Sequence, residues 1–312
     1  MSDLPIIDFS RFDEAAAQKS IAAQIDAACR DTGFFYLRGH GIPDATIAAA
    51  FDAAKRFFDL PTAEKAAIAI ENSPCHRGWF ATGGEVLDPE SHPEGDMKEG
   101  IKIGNECGAD HPRVRQGLPL HGLNQWPELA DFRAPMETYY KAANTLGRRL
   151  MSGFALALEL PPDFFAPWLT EPMATLGPLR YPPLPDGHLS AGAHTDFGCL
   201  TLLAQDETPG LEVAHNDGWK LVPPLADTLV VNIGDMLARW SNDRYASTRH
   251  RVVNRTQNTR HALAFFFDPD PEADLSPLGL AAGETPHYPP ATGLSHLLDK
   301  IDASFAYRRK AR

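Results

Sequence analysis

Ala191-Gly-Ala-His194-Thr-Asp196-Phe-Gly-Cys-Leu200-Thr-Leu-Leu203 places an imidazole and a carboxylate two residues apart, at the head of an apolar run with strand character. In extended backbone, residues i and i+2 share a face, so His194 and Asp196 can grip one ion while Thr195 points the other way. A third ligand has to come from elsewhere. The best candidate is His250, in Tyr245-Ala-Ser-Thr-Arg-His250-Arg-Val-Val-Asn254. Two histidines and one carboxylate leave three neighbouring positions of an octahedral ion open, which suits non-haem Fe(II), because a co-substrate and dioxygen then bind side by side. The competing reading is structural: His-x-Asp arises often by chance, and a lone later histidine is usually a surface or satisfied core residue.

A second stretch, Asn258-Thr-Arg260-His-Ala262-Leu-Ala-Phe-Phe-Phe-Asp268-Pro269, opens on an arginine and alternates into a strand. A planar guanidinium matches a carboxylate bidentately, so Arg260 suits the far end of a dicarboxylic co-substrate whose near end chelates the metal. His-x-Asp, a distant His, and Arg at the head of a last core strand resemble the 2-oxoglutarate- and Fe(II)-dependent dioxygenases, in their isopenicillin N synthase-like branch. The resemblance runs along nearly the whole chain. It includes Leu4-Pro-Ile-Ile-Asp8-Phe, Gly33-Phe-Phe-Tyr-Leu-Arg-Gly-His40-Gly-Ile42 and Phe57-Phe-Asp-Leu-Pro61 at the front, with Leu179-Arg-Tyr181-Pro-Pro183 and Asn232-Ile-Gly-Asp235-Met further on.

That resemblance implies a fold, mainly β with flanking helices: a distorted double-stranded β-helix, or jelly roll, buttressed by N-terminal helices. It also implies an oxidoreductase that takes Fe(II), with 2-oxoglutarate and dioxygen as co-substrates, and couples oxidative decarboxylation to oxidation of a small molecule, hydroxylation first of all. His194, Asp196 and His250 would hold the metal, Arg260 the distal carboxylate, and Tyr181 would assist. The chain departs from the family pattern at Ala262, where a serine hydroxyl ordinarily helps hold the 2-oxoglutarate carboxylate. One missing neutral hydrogen bond costs about 1 kcal/mol, so weaker binding is expected rather than none. Thr201 or Tyr181 is left as a source of the hydroxyl. Ala262 also keeps open an Fe(II) oxidase of the same fold that needs no 2-oxo acid, and the resemblance allows an ethylene- and succinate-forming activity; a non-catalytic metal- or ligand-binding module is the more distant alternative.

The 312 residues are 43% hydrophobic and 22% charged, an ordinary globular balance. A net charge of −12, from 29 Lys and Arg against 41 Asp and Glu, argues against nucleic acid as a partner, since such binding rests on phosphate neutralisation. The basic tail Arg308-Arg-Lys-Ala-Arg312 is too small a patch to alter this. Cysteines at 29, 75, 107 and 199 form neither a Cys-x-x-Cys pair nor a disulfide framework. With an acidic, polar start and no long apolar run, the expectation is a cytoplasmic protein with reduced thiols, no signal peptide and no membrane partner.

Along the chain, apolar spacing predicts a short strand over 3–9, a helix over 14–30 stopped by Gly33, a strand over 34–37, and a helix ending near residue 59. Residues 71–126 lose periodicity in Gly, Pro, His and charge, and long irregular stretches of this kind often carry function. Arg77, Trp79 and Lys98 are the candidates there for contacts with a small acidic substrate, against the plain alternative of a surface loop. His40, at a strand end, reads as structural. A long helix is predicted over 127–160, a short one from 161, then strands over 200–204, 210–214, 219–222, 228–233, 251–253 and 262–267, with a hairpin turn at 216–218 and a C-terminal helix over 295–307. Crossovers too short for helices make the sheets antiparallel. Two regions, 1–125 and 126–312, are expected to form one structural unit.

Overall fold

The apolar helix stripes and the alternating strands sort into layers in the structure, a computed structural model that describes residues 4–185, 188–216, 218–278, 280 and 283–309. The hairpin tip at Asp217 and most of the basic tail lie outside the described residues. The first part of the chain runs β1 (Ile6–Asp8), α1 (Ala15–Asp31), β2 (Phe34–Arg38), α2 (Asp44–Phe58), α3 (Thr62–Ala66), β3 (Gly78–Phe80), β4 (Glu99–Gly104), α4 (Pro112–Arg115) and α5 (Arg133–Ala157). Strands β5 (Thr175–Tyr181), β6 (Ala191–His194), β7 (Leu200–Gln205), β8 (Leu211–His215), β9 (Gly218–Leu221) and β10 (Thr228–Ile233) follow. The chain continues through α6 (Asp235–Trp240), β11 (His250–Val252), β12 (Arg260–Phe267), α7 (Gly293–Ser304) and α8 (Ala306–Arg309).

The strands form an eight-stranded sheet in the order β1-β2-β10-β7-β12-β5-β4-β3 and a four-stranded sheet in the order β6-β11-β8-β9. All neighbours are antiparallel except β1 with β2. One face of the large sheet is covered by α5, whose buried Met136, Tyr139, Leu146, Leu150 and Phe154 recur at helical spacing; α1 and α2 pack against α5 in turn. Its other face meets the small sheet, where Leu179, Tyr181, Ala262 and Ala264 share a buried cluster with Ala191 and Val252. This is the jelly roll with helical buttresses, and it leaves a cavity between the two sheets. Gly33, which ends α1, sits at φ +67 with its Cα so close to the Ala246 carbonyl that a Cβ would lie 2.0 Å from the oxygen.

Several elements differ from the sequence expectation. The long helix starts at Arg133, not 127, because Asp131 takes a left-handed φ of 56 and the carbonyls of Ala130 and Asp131 accept from Arg56 instead of continuing a helix. The helix expected from 161 is a single 3-10 turn at Ala166–Trp168. Most consequentially, the irregular stretch 71–126 contributes β3 and β4 to the edge of the main sheet. The glycines of β4 look like loop punctuation but are points of close approach: a Cβ on Gly100 would fall 2.5 Å from the Phe80 ring. Among the described residues no helix is long and apolar enough to cross a membrane.

Candidate active site

His194 is the last residue of β6 and His250 the first of β11, and the two are register partners, which sets their rings side by side with centroids 4.3 Å apart. Asp196 follows β6 in a turn held from below. The Asp235 N–H donates to the Asp196 carbonyl at 2.8 Å, and Met236 N–H to that of Gly198 at 3.0 Å. Gly234 allows this approach, since a Cβ there would lie 2.4 Å from the Gly198 oxygen. The Asn232-Ile-Gly-Asp235 segment is therefore the floor on which the His-x-Asp turn rests.

Both imidazoles present Nε2 to one oxygen, Asp196 Oδ1, at 3.8 Å from His194 and 3.7 Å from His250. The three ligating atoms lie within 4.8 Å of one another, the spacing of donors around a single ion. Each Nδ1 faces a backbone carbonyl, that of Gly192 at 2.8 Å and that of Thr248 at 3.3 Å. A carbonyl only accepts, so Nδ1 carries the proton and the Nε2 lone pair is turned inward. The other oxygen of Asp196, Oδ2, accepts from Thr201 Oγ1 and Asn232 Nδ2, each at 2.6 Å, leaving Oδ1 for a metal. Burial, followed by the neighbouring His250, pushes His194 down to about 4, so its ring is neutral and ready to ligate near pH 7. Burial alone would raise Asp196, yet His250, His194 and the two hydrogen bonds hold it below the usual carboxylate range.

Arg260 opens β12 opposite Tyr181 of β5 and is 1% exposed. Its Nη2 donates to Gln205 Oε1 at 2.9 Å and its guanidinium lies 4.9 Å from the Tyr181 ring centre. Among the described residues Nε and Nη1 have no partner. A buried guanidinium with unpaired donors on the cavity wall fits an incoming carboxylate. Ala262 is buried across from Gln205, whose amide steadies Arg260. Of the two hydroxyls considered for the missing serine, that of Thr201 is committed to Asp196. Tyr181 stays on the cavity wall, its phenol raised by burial.

The three substrate candidates fall apart. Arg77 lines the cavity. Lys98 also reaches it, but its ammonium is held by Asp96 and, at 3.0 Å, by Glu85, so it is no free cation. Trp79 is not at the cavity wall: its ring joins the helix-side core and its Nε1 donates to Glu99 Oε2 at 2.7 Å. The reason is register, because Trp79 pairs with Ile101 and shares its outward face, while Gly78 pairs with the inward Lys102. His40 accepts from the Ile42 N–H at 3.1 Å, a turn-forming role. Gln205, Asn232 and Asp268 carry parts of the site for which the sequence gives no role; Asp268 Oδ1 accepts from the Cys199 N–H at 2.7 Å and so anchors the same turn. Only their position in strand register distinguishes them from ordinary polar residues.

Two family models match the chain: "non-haem dioxygenase in morphine synthesis N-terminal" over residues 4–129 and "2OG-Fe(II) oxygenase superfamily" over residues 174–269. The 2-oxoglutarate-Fe(II) type oxidoreductase hxnY of Emericella nidulans is 41% identical over 303 residues, covering 92% of this chain and 86% of its own. A putative 2OG-Fe(II) oxygenase family protein from Caulobacter crescentus superposes with a TM-score of 0.85 at 30% identity, covering 97% of this chain and 100% of its own. A full-length Neurospora crassa protein, solved in complex with alpha-KG and thymine, gives a TM-score of 0.83 at 28% identity, with 96% of each chain covered. The chain belongs to the 2OG-Fe(II) oxygenase superfamily and is a dioxygenase, an oxidoreductase that uses Fe(II), 2-oxoglutarate and dioxygen on a small molecule.

Proposed function

We propose that the chain couples 2-oxoglutarate decarboxylation to hydroxylation of a small molecule, with His194, Asp196 and His250 as the iron ligands and Arg260 as the anchor of the distal co-substrate carboxylate. The observation that carries this reading is the pair of unpaired buried donors on Arg260, lining the same cavity as the triad. Bound Fe(II) supplies the dioxygen activation on which both the decarboxylation and the attack on carbon depend. The chain's own residues do the rest. Gln205 and the Tyr181 ring fix the guanidinium plane, Thr201 and Asn232 aim Asp196 Oδ1, and the Gly192 and Thr248 carbonyls fix the histidine tautomers. Thr201 is thus a positioning residue for the metal ligand, and Tyr181 the remaining source of a hydroxyl in place of the usual serine.

Regions 1–125 and 126–312 act as one unit in this reading, since β2, β3 and β4 share a sheet with the strands of the second region. Four buried free cysteines suit a reducing cytoplasm, and the acidic surface balance suits a small-molecule partner rather than nucleic acid or a membrane.

Anaerobic addition of Fe(II) and then 2-oxoglutarate to the protein tests the assignment. A weak visible metal-to-ligand charge-transfer band is expected. Iron binding without the band would transfer the proposal to a different 2-oxo acid or to a 2-oxo-acid-independent oxidase, the reading that Ala262 keeps open and Arg260 opposes.

A further inference from the structure

Four cationic side chains line the cavity: Arg77, Lys98, Lys102 and Arg260. Lys98 is neutralised by Asp96 and Glu85, and Lys102 lies 3.5 Å from Glu85. Neither guanidinium meets a carboxylate among the described residues. Arg77 is 5% exposed, donates from Nη2 to the Leu120 carbonyl at 2.9 Å and from Nη1 to that of His76 at 3.3 Å, and leaves Nε without a partner. Two backbone carbonyls satisfy hydrogen-bond geometry but do not cancel a buried positive charge, and burial pulls this guanidinium below its ordinary value. Its seat is prepared by Gly104, where a Cβ would fall 2.0 Å from Nη2.

Strand register locates that seat relative to the triad. Asn232 pairs with Thr201, Thr201 with Phe266, Phe266 with Thr175 and Thr175 with Gly104. This single row begins at the two residues that hold Asp196 and ends at the residue on which Arg77 lies. Three strand spacings separate Thr201 from Gly104, about 14 Å along the sheet. The wall between is largely apolar, with Phe266, Met173, Leu297 and Phe305 facing the cavity.

We infer that the primary substrate is a small organic monocarboxylate whose acid group docks on Arg77, with an apolar body along the Phe266 wall and its oxidised carbon at the triad, several bonds from the acid. The inference rests on the assignment of Arg260 to 2-oxoglutarate, which leaves Arg77 as the one cavity guanidinium without an anion. No covalent step beyond the proposed hydroxylation is added; what is assigned is the class of substrate and its direction of binding.

The test is acid against amide. Benzoate, phenylacetate and phenylbutanoate, each beside its primary amide, are titrated into the protein loaded anaerobically with Fe(II) and 2-oxoglutarate, and in parallel into metal-free protein. Binding is read by calorimetry and by the shift in Tm. The expected result is binding of at least one acid, the longer ones favoured, with its amide weaker by about tenfold or more, as loss of a charge-assisted hydrogen bond implies. Arg77→Gln should remove the preference for the acid, and Arg77→Lys should keep part of it. Amides binding as well as acids, no acid binding at all, or acid binding unchanged in both variants would overturn the inference. The wild-type comparison stands even where a variant fails to fold. A missing charge-transfer band in wild-type protein that still selects acids, with that selection lost in Arg77→Gln, would count against the co-substrate reading and leave Arg77 in place; selection kept in Arg77→Gln would move the acid to Arg260 and overturn the inference.

Discussion

On the β6–β11 side of the cavity His194, His250 and Asp196 each give one polar atom to the protein and keep another free, whereas on the β3–β4 side Lys98 gives its charge to Asp96 and Glu85 and Trp79 gives its only N–H to Glu99. What differs between the two sides is whether any polar atom is left over. On these two walls the side chains whose polar atoms are all committed build structure, and those with an atom in reserve face the cavity with it. Arg260 and Arg77 belong to the second kind despite lying in different regions of the chain.

Removing a reserved ligand atom should have the largest effect. His194→Ala is expected to abolish the charge-transfer band and turnover while the Tm stays close to that of metal-free wild type. Full activity in this variant would end the ligand assignment. Next comes Asp268, which has no assigned ligand role despite its place on the cavity wall. Burial pushes its carboxyl up to about 7 from an ordinary 3.8. The folded state then keeps a proton that the unfolded chain loses, so its contribution is full below about pH 4 and is lost as pH rises through about 7. In metal-free protein, the stability of Asp268→Asn relative to wild type should therefore climb across that window, by ~4 kcal/mol at most. A flat difference would show Asp268 to be charged throughout.

The proposed co-substrate anchor is third. Arg260→Gln removes charge-assisted hydrogen bonds worth roughly 1.5–3 kcal/mol each, so the 2-oxoglutarate requirement should rise on the order of a hundredfold with iron affinity intact. Fourth, Asn232→Ala and Thr201→Val should weaken Fe(II) binding about 10–100-fold, as loss of a group that orients a metal ligand does. The two variants separate the roles of Thr201. A raised 2-oxoglutarate requirement with unchanged iron affinity in Thr201→Val would restore its hydroxyl to the co-substrate.

The same contrast explains what was legible in the sequence. His194 and Asp196 could be placed together because they are two residues apart, and Arg260 could be placed at a strand head by the alternation that follows it; the convergence of His250 on them comes from strand register. The long helix was visible in its stripe, though its start was not, since Asp131 breaks it through a single left-handed residue. Strand β4 was hidden because Gly100 and Gly104 resemble turn residues until the ring of Phe80 and the guanidinium of Arg77 are seen against them. Gln205 and Asn232 were illegible as functional residues because their roles come from cross-strand neighbours distant in sequence: Gln205 faces Ala262, and Asn232 faces Thr201.

Trp79 gives the smallest effect and the sharpest check on the comparison. Its indole donates to Glu99, which is also held by Lys65 at 2.8 Å and by Arg180, so the carboxylate stays paired when the N–H is removed. Trp79→Phe retains most of the ring in the core and should lower stability by about 1.5 kcal/mol, the low end for one hydrogen bond to a charged group that keeps its other partners. Because the side chain is on the outward face of β3, kcat/KM should be unchanged for whichever small acid proves to be the substrate. A fall in kcat/KM without a fall in Tm would put an aromatic wall back beside Arg77. Register alone, pairing Gly78 with Lys102 and Trp79 with Ile101, argues for the outward face.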